Sequence, residues 1–174
     1  MQTSNLKSET RSSPGTKTIF HKILVAVDGS ESASRAAKAA IELSRGLKAD
    51  LLVLHAIGSP TSYFGTTFAT PVGAAPPPIS QREIDAYYSQ ARKFAQGIVG
   101  KVQDDARGEG VRVKTELPEG VSSAVETIIN HAEKNNVDLI VIGTRGLGGF
   151  KKLLLGSVSS GVVSHAHCPV LVVR

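Results

Sequence analysis

From Ile19 onward, short apolar runs alternate with stretches whose apolar residues recur every three or four positions. That alternation predicts strand-helix-strand units around a parallel sheet. Five strands follow from the runs: Lys22 to Val27, Asp50 to Ile57, Val111 to Leu117, Asp138 to Gly143 and Val170 to Val173. The first, second and fourth are almost continuously apolar, as strands covered on both faces are, and belong at the sheet's centre. In the third, Val111, Val113, Thr115 and Leu117 alternate with Arg112, Lys114 and Glu116. One face of it is expected to be wet, which places it at or near an edge.

The first helix is predicted to begin after Ser30, with Ala36, Ala37, Ala40, Ile41 and Leu47 on its buried face. A Ser80-x-x-Glu83 capping box opens a longer second helix that presents Ile84, Tyr87, Ala91, Phe94, Ile98 and Val102. The third opens at Ser122 or Ser123 and carries Val125, Ile128, Ile129 and Ala132. A short fourth follows Gly156 with Val158, Val162 and Val163, and Pro169 starts the last strand. These stripes read as core. Between Gly58 and Ser80 neither periodicity holds, and Pro, Thr, Gly and Ala dominate. This reads as a long mobile loop, serving either as a lid or partner surface or as a tolerated insertion.

The length of 174 residues suits one domain over 19–174 with a core of its own. Residues 1–18 are polar and hydroxyl-rich and read as a flexible tail, a transit peptide being the lesser alternative. The net charge of +5 owes +2 to the first twenty residues, so the folded part is only mildly basic. No run of Lys and Arg interleaves with aromatics, and nucleic acid is disfavoured as a partner. No span is apolar enough for a membrane helix, and Cys168 is the single cysteine, so an internal disulfide is excluded and a cytoplasmic address is expected.

The fourth strand ends in Gly143-Thr144-Arg145-Gly146, and nine residues later Gly156-Ser157 opens the fourth helix. Backbone amides that approach a phosphate need residues without side chains at the closest points, and a helix start supplies unpaired N–H groups. Singly, each glycine reads as a turn after a strand; together they span a whole strand-loop-helix connection. Ser157 has two roles open to it, capping the helix or donating to a phosphate oxygen. Neither G-x-x-x-x-G-K-S/T nor G-x-G-x-x-G after the first strand is present, so neither a P-loop nor a dinucleotide Rossmann site is supported.

Gly143, Gly146, Gly156 and Ser157 stand in the pattern G-2x-G-9x-G-S/T. With Ile23 to Ser30, Asp138 to Gly143 and His167 to Val173, the chain resembles the ATP-binding branch of the universal stress proteins. The resemblance implies a three-layer α/β/α fold of the adenine nucleotide alpha-hydrolase-like kind, with a five-stranded parallel sheet in the order 3-2-1-4-5. It implies ATP, AMP or ADP at the carboxyl ends of strands one and four, where strand order reverses and ligands commonly sit. It implies further that Ala26, Val27 and Leu51 flank the adenine, that Ile142 and Val158 neighbour the phosphate loop, and that Asp28 reaches the ribose or a bound Mg²⁺. Asp28 equally suits a turn before Gly29. A homodimer through Val170, Leu171, Val172 and Val173 is implied as well, and an apolar last strand is an unpaired edge in a monomer.

Arg145, Lys151 and Lys152 lie where they can neutralise phosphates or simply form a solvated face. His55 reads as a packed histidine, and His165, His167 and Cys168 form no metal cluster by spacing. No catalytic residue is assigned: phosphoryl transfer needs a group to orient the nucleophile and cations on the phosphoryl, and Glu119 is the nearest second carboxylate only by position. The expected function is a nucleotide-binding regulator of the stress response, against two alternatives: a slow ATPase or phosphotransferase, and a dimeric scaffold with a vestigial loop.

Overall fold

The computed structural model describes residues 19–60, 79–147 and 155–174. The tail 1–18, most of the loop between Gly58 and Ser80, and the pairs Gly148-Gly149 and Lys151-Lys152 lie outside the described residues. Strands β1 (Lys22–Ala26), β2 (Asp50–Leu54), β3 (Val113–Glu116), β4 (Leu139–Gly143) and β5 (Val170–Val173) alternate with helices α1 (Glu31–Leu47), α2 (Gln81–Gly108), α3 (Ala124–Lys134) and α4 (Ser157–His165). The five strands form one parallel sheet in the order β3-β2-β1-β4-β5, as expected.

Strand periodicity divides the core between two faces. Ile23, Val25, Leu51, Val53, Leu139 and Val141 pack beneath α1 and α2. Their neighbours Leu24, Leu52, Leu54, Ile140 and Ile142 pack against α3 and α4. Both faces of β1, β2 and β4 are covered, so their sequences carry no polar alternation. The apolar run of β2 extends to Ile57, but the strand ends at Leu54. Beyond the bond from Val27 N–H to the Leu54 carbonyl, the backbone turns from β1 to the end of β3 and the segment after it, with His55 N–H donating to the Glu116 carbonyl and Ile57 N–H to the Pro118 carbonyl.

β3 lies at the edge, but its wet face is only partly wet. Lys114 is exposed, whereas the Glu116 side chain is 17% exposed because His131 of α3 reaches it at 2.5 Å and Lys114 at 2.7 Å. Burial pushes the Glu116 carboxyl up, and the hydrogen bonds and charges of Lys114 and His131 outweigh it, leaving the group below the ordinary carboxylate range.

Two helical stripes differ from expectation. The buried face of α2 is Ala95, Val99, Val102 and Ala106, and Phe94 is 56% exposed. The small alanines let the helix approach the sheet, which turns Phe94 and Ile98 to the flank, over the turn at Gly29. The amino-terminal half of α2 contributes no buried residue, and the predicted stripe over Ile84, Tyr87 and Ala91 therefore covers no core. In α4 only Ser159 and Val162 are buried, while Val163 is 47% exposed. Among the described residues, no helix is long and apolar enough to cross a membrane.

The phase of α2 is testable by denaturation. Val99→Ala is expected to cost about 2 kcal/mol through lost burial and the cavity left behind, and Phe94→Ala well under half of that.

Candidate functional site

A cavity of about 570 Å³ opens at the carboxyl ends of β1 and β4, where the strand order reverses. That volume falls within the usual range for small-molecule sites. Ala26, Val27 and Asp28 from the end of β1 line it, together with Ile142, Gly143, Arg145 and Gly146 from β4 and the loop beyond, and Gly156, Ser157 and Val158 from the start of α4. The fold thus gathers ten of the eleven residues singled out from sequence. Leu51 is the exception and is corrected here. It pairs with Ile23 and Val113 near the amino end of β2, at 1% exposure in the core under α1, so the strand's length separates it from the cavity.

The glycines act through closeness. A Cβ on Gly143 would lie 2.6 Å from the backbone carbon of Ser32 and 2.8 Å from the Ala33 nitrogen, so β4 can meet the start of α1 only without a side chain. A Cβ on Gly146 would fall 2.6 Å from Asp28 Oδ2. Asp28 performs the turn role: Oδ1 accepts from Ser30 N–H at 2.9 Å, and Oδ2 accepts from Leu147 N–H at 3.2 Å. It therefore ties the turn after β1 to the loop after β4.

Ser30, Ser80 and Ser123 each cap a helix by accepting a backbone N–H. α4 differs. Its cap position is Gly156, which offers no side-chain bond, and its first turn opens on the cavity. Ser157 is the first helical residue rather than the cap, so the capping role is removed from it. Ser159 is the serine that bonds locally, donating to the carbonyls of Thr144 and Gly156. Val158 faces the cavity instead of the core.

A universal stress protein family model matches residues 19–174, which is every described residue of the fold. The chain belongs to the universal stress protein family. It is 33% identical over 160 residues to universal stress protein YxiE of Bacillus subtilis, covering 90% of this chain and all of that one. Among solved structures, it resembles the universal stress protein UspA of Lactobacillus plantarum with a TM-score of 0.75 at 25% identity, over 91% of this chain and all of that one. At 22% identity its fold also matches a universal stress protein of Archaeoglobus fulgidus in complex with dAMP, with a TM-score of 0.55 over 90% of this chain and 99% of that one. Another universal stress protein, in complex with cAMP, matches with a TM-score of 0.57 at 22% identity, over 90% of this chain and 98% of that one.

In this family member the carboxylate supply at the cavity is small. Asp28 is the only acidic residue among the described residues lining it, and no group of three or more His, Cys, Asp or Glu side chains gathers anywhere among the described residues. Glu119 is not a second carboxylate for the site. It lies outside the cavity lining, in a two-pronged ion pair with Arg92 of α2. His55 is packed, as expected: its Nδ1 lies 2.8 Å from the Val27 carbonyl oxygen and its ring meets Phe94 edge-on at 6.3 Å. Burial pushes its pKa down, against the Val27 carbonyl and the Asp28 charge, which push it up. Lining residues that sequence reasoning missed are Ala33, Ala56, Ala124, Ile128, Leu147 and Ser159. Three are alanines, which carry no chemical signal; only the placement of helix starts around the sheet's end could have found them.

Two measurements follow. Gly143→Ala is expected to cost about 2 kcal/mol in urea denaturation, because backbone atoms rather than movable side chains meet the new methyl. For His55, the unfolded chain takes up a proton near pH 6.5 and the folded chain only at lower pH. Stability is therefore complete above that pH and falls as pH drops below it, and His55→Gln should flatten this acid-side slope in pH-dependent denaturation.

Proposed function

We propose that this chain binds an adenine nucleotide in the cavity between β1 and β4, with the phosphates at the start of α4. The observation that carries the reading is the amino end of α4, opening on a 570 Å³ cavity with glycine where the other described helices have a serine cap. A helix start of that kind offers unpaired N–H groups and the positive end of the helix dipole to an anion. Gly146, Gly156 and Ser157 then approach the phosphates, with Ile142 and Val158 beside them. Ala26 and Val27 lie against the adenine, whose flat face suits an aliphatic wall. The relatives crystallised with cAMP and dAMP support an adenine ligand.

ATP and its Mg²⁺ belong to the same proposal. The residues fit a cation poorly on their own, since Asp28 is a single carboxylate whose oxygens already accept two amides. Mg²⁺ keeps most of its waters and commonly binds through one or two carboxylates plus phosphates, so it would enter with the triphosphate. With one carboxylate at the cavity, we assign binding rather than fast phosphoryl transfer. The protein acts in the cytoplasm as a regulator of the stress response whose partner contacts depend on the bound nucleotide. It pairs with a second copy through β5, the outer strand of the sheet among the described residues, formed by Val170, Leu171, Val172 and Val173, on which Leu171 is 38% exposed.

Gly156→Asp separates the α4 site from general damage. Aspartate is a favoured cap, and a Cβ there meets nothing closer than 3.4 Å, so the variant should fold with unchanged or slightly higher stability. Its charge opposes phosphate, and AMP and ATP affinity by calorimetry should fall at least about thirtyfold, roughly 2 kcal/mol. Wild-type protein that gives no heat with AMP, ATP or cAMP would sink the reading. For the pairing, sedimentation should give a dimer at micromolar concentration and a monomer for Leu171→Asp.

A further inference from the structure

The tie between α1 and the loop after β4 has a second consequence at the peptide joining Arg145 to Gly146. Ser32 is 6% exposed, at the second position of α1. Its hydroxyl accepts the Arg145 N–H at 3.3 Å and donates to the Arg145 carbonyl in a short hydrogen bond. Ser30 caps α1 by accepting the Ala33 N–H, and its own proton is directed at the same Arg145 carbonyl, at 3.2 Å. Two hydroxyls thus draw one carbonyl toward the start of α1.

A trans peptide is planar, with its carbonyl and the following N–H on opposite sides. Holding the Arg145 carbonyl toward Ser30 and Ser32 therefore turns the Gly146 N–H away from them. Gly146 lines the cavity and has no side chain to hide that donor. Ser32 itself is buried and is not among the residues lining the cavity.

We infer that Ser32 is a positioning residue for phosphate recognition: it sets the Arg145–Gly146 peptide so that the Gly146 N–H is presented to an anion bound at α4. This rests on the nucleotide reading above. Preorganisation of this sort gives affinity by removing the cost of ordering the loop on binding. It predicts an effect confined to ligands that carry phosphate, because the nucleoside moiety does not use that donor.

The test compares Ser32→Ala with Ser44→Ala, a change at another buried serine of α1 whose hydroxyl has no hydrogen-bond partner. Calorimetry with AMP and with adenosine, and amide exchange at Arg145 in nucleotide-free protein, are measured on both variants and the wild type. Ser32→Ala should weaken AMP about tenfold, leave adenosine affinity unchanged and speed exchange at Arg145; Ser44→Ala should do none of these. Equal losses for AMP and adenosine, or AMP affinity unchanged despite faster exchange at Arg145, would overturn the positioning role while leaving the nucleotide reading intact. Unchanged exchange at Arg145 would remove the clamp itself. A wild type that binds neither compound overturns the nucleotide reading and this inference with it.

Discussion

The contact between the end of β4 and the start of α1 governs this end of the molecule. At Gly143 there is no room for a Cβ against the backbone of Ser32 and Ala33. That closeness brings the hydroxyls of Ser30 and Ser32 to Arg145, and the Asp28 carboxylate to the amide of Leu147. The loop leaving β4 is therefore held by the turn leaving β1. Parallel pairing of β1 with β4 aligns the two exits, and the reversal of strand order leaves a crevice between the connections.

A site of this design is built mostly from backbone. Glycines at the points of contact let the chain fold over itself, and the helix start that faces the cavity has no side chain closing it. Charge enters sparingly, through Arg145 and the single described acid Asp28. On the proposed reading this arrangement holds an anion, whereas moving a phosphoryl group requires an oriented nucleophile and stabilised developing charge. Two polar residues weighed from sequence have structural partners: Glu119, outside the cavity lining, holds Arg92, and His55 rests on the Val27 carbonyl.

Much of this was legible in the chain because the signals were local. Continuous apolar runs in β1 and β4 marked strands covered on both faces, and Ser80 with Glu83 marked the start of α2 as a reciprocal cap. The spacing of Gly143, Gly146, Gly156 and Ser157 marked the loop. The errors were also physical. The stripe on α2 was misphased because Phe94 is more hydrophobic than Ala95, yet the alanine allows the closer approach to the sheet. Leu51 was assigned to the ligand because apolar strand residues look alike in sequence, whichever end of the strand they occupy.

By itself the sequence determined which segments are strands and helices, which strands are central, and where side chains are missing for a reason. Those properties follow from periodicity and from the steric demands of single residues, which neighbours in the chain express. Tertiary structure alone decided that Ser32 and Arg145, 113 positions apart, share hydrogen bonds. It also decided that Asp28 spends both oxygens on amides, that Gly156 rather than Ser157 caps α4, and that Val158 faces a cavity. Each depends on the distance between two chain segments and on the direction a group takes there. A one-dimensional pattern carries neither quantity until the sheet has set the register of β1 against β4.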